Sequence, residues 1–361
     1  MSAQTRGTGI WSYAERLPRI AEQHRITLGE GNAPLVRSCR IGQTIGIPNL
    51  YFKLESLNPT GSYKDRIAAL MLSLAREHGK AACIGTTSGN AGASIAAYAA
   101  RAGIPYHVYV QENIVPSKLE QILVHRAEVY RVKGMGFDPH IGTQVFETVL
   151  AQAKANNWEP AVTAFAYAPL AMEAVKTISF EIHEQLGAPD AVFVPVGGGG
   201  LFAGIHKGFA ELQTDGALDR MPRMAACQSA GCANLANAWM QGLDKPLPGG
   251  STSLISGIQV PSPPDADLVF AALKESRGNA YALQDEDTWH WQERLAADEG
   301  IFCEPAGAIG LAGAAQAARD GMIGQEDNVV IVISGAGFKD VQRIQKMTAS
   351  VQVPFIEANG M

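Results

Sequence analysis

Short apolar runs rich in β-branched residues alternate along this chain with longer stretches whose apolar positions recur at helical spacing. The runs Asn49–Glu55, Ala81–Thr86, Tyr106–Val110, Val129–Val132, Ala191–Val196, Arg223–Gln228 and Asn328–Ser334 predict strands. Helical spacing follows most of them, at Asn90–Ala102, Ser117–Arg126, Gly200–Leu212, Asp287–Glu299 and Pro305–Arg319. Strands that are apolar throughout and joined by helices imply an α/β fold, with parallel-rich sheets flanked by helices. The units fall into two groups, before about Asn157 and after about Ala191, which predicts two lobes sharing a cleft. Lys245–Pro264, rich in Pro and Gly, reads as a long, partly irregular loop near functional surface.

Polar breakers single out one junction. Asn58, Pro59 and Gly61 predict a tight turn, and Ile67–Leu72 a buried helix with Ser62 as its N-cap. Lys64 then lies in the first helical turn, where the positive end of the dipole disfavours a cation. A lysine that deprotonates readily is what Schiff-base chemistry needs. Taken alone, Lys64-Asp65-Arg66 reads as a solvated helix start. Three further strand-to-helix junctions change that reading. Gly197-Gly198-Gly199-Gly200 lets backbone N–H groups crowd around a single phosphate at a helix N-terminus. Thr87-Ser88-Gly89-Asn90-Ala91 sets hydroxyls and an amide beside exposed donors, suited to a carboxylate. Ser334 ends a very apolar strand, where α/β ligands bind, and Glu304-Pro305 reads as a helix start whose carboxylate can face the same crevice.

Composition narrows the partners. A 361-residue chain with 47% hydrophobic and 18% charged residues suits an ordinary globular enzyme. A net charge of −6 gives no nucleic-acid surface, no apolar run reaches membrane-span length, and Met1–Arg6 carries no signal pattern, so cytoplasm is the expected compartment. The five cysteines are scattered, with Cys83 and Cys227 in strand-like runs as core residues. The histidines form no ligand spacing, so neither disulfides nor a catalytic metal is expected.

Six motifs in order resemble the fold-type II, pyridoxal 5′-phosphate (PLP) dependent enzymes: threonine synthases, threonine and serine dehydratases, serine racemases and cysteine synthases. They are G-E-G-N-A-P-L at Gly29–Leu35, K-L-E-S-L-N-P-T-G-S-Y-K-D-R at Lys53–Arg66 and T-S-G-N at Thr87–Asn90. V-P-V-G-G-G-G-L at Val194–Leu201, E-P-A at Glu304–Ala306 and S-G-A-G-F-K-D at Ser334–Asp340 complete the set. The resemblance implies a two-lobed fold like the tryptophan synthase β-subunit. Residues 60–160 would form the small domain, with 1–59 and 161–361 as the large one, in a homodimer acting on a small amino acid. It implies that Lys64 carries PLP as a Schiff base, that Gly197, Gly198, Gly199 and Gly200 hold its phosphate, and that Asn90 binds its 3′-oxygen and Ser334 its ring nitrogen. Thr87, Ser88, Gly89, Asn90 and Ala91 would line the substrate-carboxylate loop. A serine at the ring nitrogen cannot keep it protonated by charge, which favours elimination or replacement at Cβ over transamination.

The overall frame is most similar to threonine synthase, with one departure. Where those enzymes read N-P-x-R-x-E-G-Q-K-T, using the arginine and asparagine to grip the phosphate of O-phosphohomoserine, this chain has Ala168 and Ala171. Each lost charge-assisted hydrogen bond costs about 1.5–3 kcal/mol, and only Lys118 and Lys176 stand as candidates to compensate. The four-glycine loop resembles dehydratases and racemases instead. The favoured expectation is a PLP lyase or β-replacement synthase for an unphosphorylated hydroxyamino acid. Threonine synthase, a racemase in which Ser88 protonates the face opposite Lys64, and a non-catalytic PLP-binding scaffold are the alternatives.

Overall fold

The computed structural model describes residues 8–135 and 139–356, so the reading of Met1–Arg6 lies outside the described residues. Among the described residues, ten strands form two sheets. They are β1 (Leu35–Arg37), β2 (Leu50–Lys53), β3 (Cys83–Thr87), β4 (Tyr106–Gln111), β5 (Glu128–Val132), β6 (Glu159–Pro160), β7 (Ala191–Pro195), β8 (Arg223–Ser229), β9 (Asn279–Leu283) and β10 (Val329–Val332). One sheet is ordered β1-β2-β10-β7-β8-β9 and the other β5-β4-β3-β6. Every pairing is parallel except β1 with β2. All seven predicted strands form. The sequence pattern missed β1, β6 and β9 because they are a three-residue edge, a two-residue edge containing proline, and an Ala-rich segment. Pairing rather than propensity makes such segments strands.

Grouping by chain order assigned β2 to the first set of units, but its register with β10 (Leu50 opposite Val329, Lys53 opposite Val332) puts it in the six-stranded sheet. Side chains of β7 and β10 alternate between two apolar cores. Val192, Val194, Val330 and Val332 face the core that also holds helix Lys64–Glu77, while Phe193, Val329 and Ile331 face helix Pro305–Arg319. With β3, β7 and β10 all running parallel within their sheets, the loops that follow them emerge at strand C-termini, where α/β crevices form.

Helix Lys64–Glu77 is anchored by charge as well as by its buried Ile67–Leu72 face. Ser62 does not cap it. The cap position is Tyr63, the Ser62 hydroxyl is buried without a partner, and its carbonyl instead accepts from Asp65 N–H. The turn is pinned by Asp65, whose carboxylate accepts from Thr60 N (2.6 Å) and Thr60 Oγ1 (2.5 Å). Arg66, fully buried, donates to both carboxylate oxygens of Glu55 and of Glu181 and to Thr177 Oγ1. Lys53 donates to Glu181 and to the Ala33 carbonyl, and Glu181 also accepts from the N–H groups of Asn32 and Ala33. Burial by itself would raise the Glu181 carboxyl, but Arg66 and Lys53 outweigh it and hold it down at about 2.

Arg66→Met should strand two buried carboxylates and cost about 3–5 kcal/mol of stability in denaturant unfolding. Because the folded Glu181 value lies below the ordinary 4.5, its stabilisation is complete above that pH and is lost as pH falls toward about 2. A Glu181→Gln protein should lack that acid-dependent component.

Candidate active site

The loops after β3, β7 and β10 and the turn before helix Lys64–Glu77 line a cleft of about 400 Å³. Lys64 opens its helix and donates from Nζ to Thr163 Oγ1 at 2.7 Å, with the Tyr63 ring centroid 4.9 Å away. Among the described lining residues Lys64 is the only lysine or arginine and Glu304 the only aspartate or glutamate.

Gly197–Gly200 run directly into helix Gly200–Thr214, leaving that helix's first N–H groups toward the cleft. Gly199 sits at φ +97°, and a Cβ there would meet Val269 at 2.9 Å and the Asp265 carbonyl at 3.1 Å, so only glycine fits. The cradle is braced by Asp265, which the sequence pattern did not single out. Its N–H donates to the Gly198 carbonyl (3.0 Å), and its carboxylate accepts from the N–H groups of Phe165 and Ala166, each at 2.9 Å. Burial raises the Asp265 carboxyl, while those two N–H groups and Lys64 lower it. The Lys245–Pro264 loop supplies Gly257, Ile258 and Val260 to the same cleft.

On the opposing lobe, Thr87 Oγ1 accepts from the N–H groups of Gly89 (3.0 Å) and Gly92 (2.9 Å) and so shapes the start of helix Asn90–Ala102. Ser88, Asn90 and Ala91 line the cleft, while Gly89, at φ +151°, lets the chain pass over the Lys118 stem. Asn90 Nδ2 donates to Glu304 Oε1 (2.6 Å), and Asn90 Oδ1 is buried without a partner, a polar position that a bound group would complete. Glu304 at the start of helix Pro305–Arg319 and Ser334 after β10 both reach the cleft. The structure therefore brings Lys64, the four glycines, Asn90, Ser88 and Ser334 to one space. Thr163, whose spacing gave no signal, joins them through its contact with Lys64.

Neither candidate replacement cation is available. Lys118 is buried, 3.1 Å from Glu304 Oε2 and bonded to Ser256. Lys176 pairs with Glu173 and Glu211 away from the cleft. Ala168 and Ala171 are packed in the apolar core and do not line the cleft. Lys339, also buried, bonds to Gln121, and burial lowers its ammonium to about 8.

A glycine cradle at a helix N-terminus, an unpartnered amide oxygen and a hydroxyl at a strand end suit a phosphate, a ring hydroxyl that donates and a ring nitrogen. The residues present fit PLP. The sequence model of pyridoxal-phosphate dependent enzymes matches residues 26–335. Threonine synthase of Methanocaldococcus jannaschii is 35% identical over 340 residues, covering 93% of this chain and 82% of the relative. The threonine synthase of Mycobacterium tuberculosis (strain H37Rv) is 34% identical, covering 95% and 91%. Among solved structures, the processed form of threonine deaminase isoform 2 from Solanum lycopersicum superposes with a TM-score of 0.73 at 20% identity, covering 95% of this chain and 94% of that one. Serine racemase from Dictyostelium discoideum reaches 0.68 at 23%, covering 84% and 92%. These likenesses establish the fold-type II architecture. The chain belongs to the pyridoxal-phosphate dependent enzyme family, with threonine synthases among its relatives.

Proposed function

We propose that this enzyme is a PLP-dependent lyase or β-replacement synthase for a small amino acid whose side chain carries no phosphate. One observation carries the reading. Among the described residues lining the cleft, Lys64 is the sole lysine or arginine, and the positions that match the phosphate grip of threonine synthases hold buried alanines. A dianion on the substrate would be desolvated there without a guanidinium partner, at a cost of several kcal/mol.

In this reading Lys64 holds the cofactor covalently, Gly197–Gly200 its phosphate, Asn90 its ring oxygen and Ser334 its ring nitrogen. Bound there, the cofactor supplies an electron sink conjugated with the substrate's Cα. The N–H groups at the start of helix Asn90–Ala102, with the Ser88 hydroxyl, bind the substrate carboxylate. Once the substrate's own amine has replaced it, the Lys64 amine would take the Cα proton, with Thr163 Oγ1 fixing its direction. Glu304, held against Lys118, keeps the Asn90 amide oriented. Loss of hydroxide from Cβ with a proton then gives water and, after hydrolysis, a 2-oxo acid and ammonia. An added nucleophile gives a replacement product instead.

Threonine synthase is the second reading, favoured by relatives of that name at 34–35% identity. Steady-state kcat/KM for serine, threonine and O-phosphohomoserine separates the two. Serine or threonine should be preferred, and a hundredfold advantage for the phosphorylated substrate, about 2.7 kcal/mol, would establish the second reading.

Lys64→Ala should lose turnover by at least about a thousandfold, along with the yellow chromophore that borohydride bleaches in the wild type. Full activity in that variant would overturn the assignment. Ser334→Asp should add a counter-charge at the ring nitrogen and divert flux from 2-oxo acid toward Cα exchange, read by deuterium incorporation. Wild-type Cα exchange with no Cβ product from any small hydroxyamino acid would instead point to a racemase.

A further inference from the structure

Part of the cleft lining is apolar and aromatic. Phe146, from helix Pro139–Asn156, and Tyr167 meet edge to face with ring centroids 4.5 Å apart, and Val162 and Val260 line the same cleft. Three observations tie this wall to the reacting carbon. Thr163, which accepts the hydrogen bond from Lys64, lies in the same segment as Val162 and Tyr167, so a Cα within reach of Lys64 is next to that segment. The Asp265 carboxylate grips the N–H groups of Phe165 and Ala166 while its own N–H holds Gly198, which sets the wall's position against the glycine cradle. Both charged lining residues are engaged elsewhere, Lys64 on Thr163 and Glu304 on Asn90 and Lys118. Tyr167 nonetheless leaves 40% of its surface exposed.

We propose that Phe146, Tyr167, Val162 and Val260 form the subsite for the substituent on the substrate's Cβ, and that it favours an apolar substituent, from the methyl of threonine to larger aliphatic or aryl groups, over a charged one. This rests on the reading that Lys64 reacts at Cα. A charged or phosphorylated side chain would lose its hydration against this wall without a partner. Each buried methylene should instead tighten binding by roughly fourfold, and an aryl group gains further from edge-to-face packing with the ring pair.

The test uses unreactive amino acids, which have no leaving group, on the PLP-loaded protein. Isothermal titration calorimetry with L-alanine, L-2-aminobutyrate, L-leucine and L-phenylalanine should give a rising ladder, with leucine at least about tenfold tighter than alanine and O-phospho-L-serine at or below alanine. Phe146→Ala should cut the leucine-to-alanine affinity ratio by at least about fivefold. Val260→Ala, from a different segment, should cut it in the same direction, which keeps the test available if the first variant melts early. A flat wild-type ladder, tighter binding of O-phosphoserine, or variants that weaken every ligand equally would overturn the proposal. Because no turnover is needed, failure of the ladder is distinct from failure of the lyase reading, which is read from Cβ products.

Discussion

Arg66 spends all five of its N–H donors inside the protein, four on the carboxylates of Glu55 and Glu181 and one shared with Thr177. Two residues earlier in the same helix lies Lys64. A planar guanidinium clamped by two carboxylates has one orientation, so it sets the rotation and height of the helix that presents the lysine. Glu55 follows β2, and Glu181 lies in helix Thr177–Leu186, which also holds the backbone of Asn32 and Ala33. The charge cluster thereby joins the Asn32–Ala33 segment, the six-stranded sheet and the helix that carries Lys64. Truncating one member is costly because its partners would remain charged in a dry interior.

The same economy governs the cleft. Lys118, Lys176 and Lys339 are all buried, yet each is occupied, by Glu304 and Ser256, by Glu173 and Glu211, and by Gln121. What remains to meet a substrate is one amine, a ring of backbone N–H groups, several hydroxyls and an apolar wall. Such a surface has backbone N–H groups and hydroxyls to offer an anion, and Lys64 as its single lysine or arginine among the described lining residues.

Asp265 shows how the parts are coupled. It binds the glycine cradle with its N–H and the 165–166 backbone with its carboxylate, so it ties these two segments of the cleft lining together. Its carboxyl is buried, and two backbone donors satisfy it. That makes it a structural brace rather than a proton carrier.

Much of this was legible in the linear chain. Seven strands followed from apolar runs, the Lys64 turn from Asn58, Pro59 and Gly61, and the cradle from four consecutive glycines, because these depend on local backbone preferences and side-chain period. The stretch from Lys53 to Arg66 was recognisable as a motif, although most of its polar members prove to be scaffold: Lys53, Glu55, Asn58, Asp65 and Arg66 bind one another or nearby backbone, and Lys64 alone among the charged ones faces the cleft. Local pattern could not reveal β9, whose alanines become a strand only beside β8, nor the pairing of β2 with β10 across 279 residues of sequence (Leu50 to Val329). Nor could it reveal Thr163 against Lys64, Asp265 under the glycines or Phe146 against Tyr167. Sequence by itself determined which residues have the chemistry for a phosphate, an amine and a carboxylate. Tertiary structure alone decided which of those charges are already neutralised by a partner, because that depends on contacts between segments far apart in the chain.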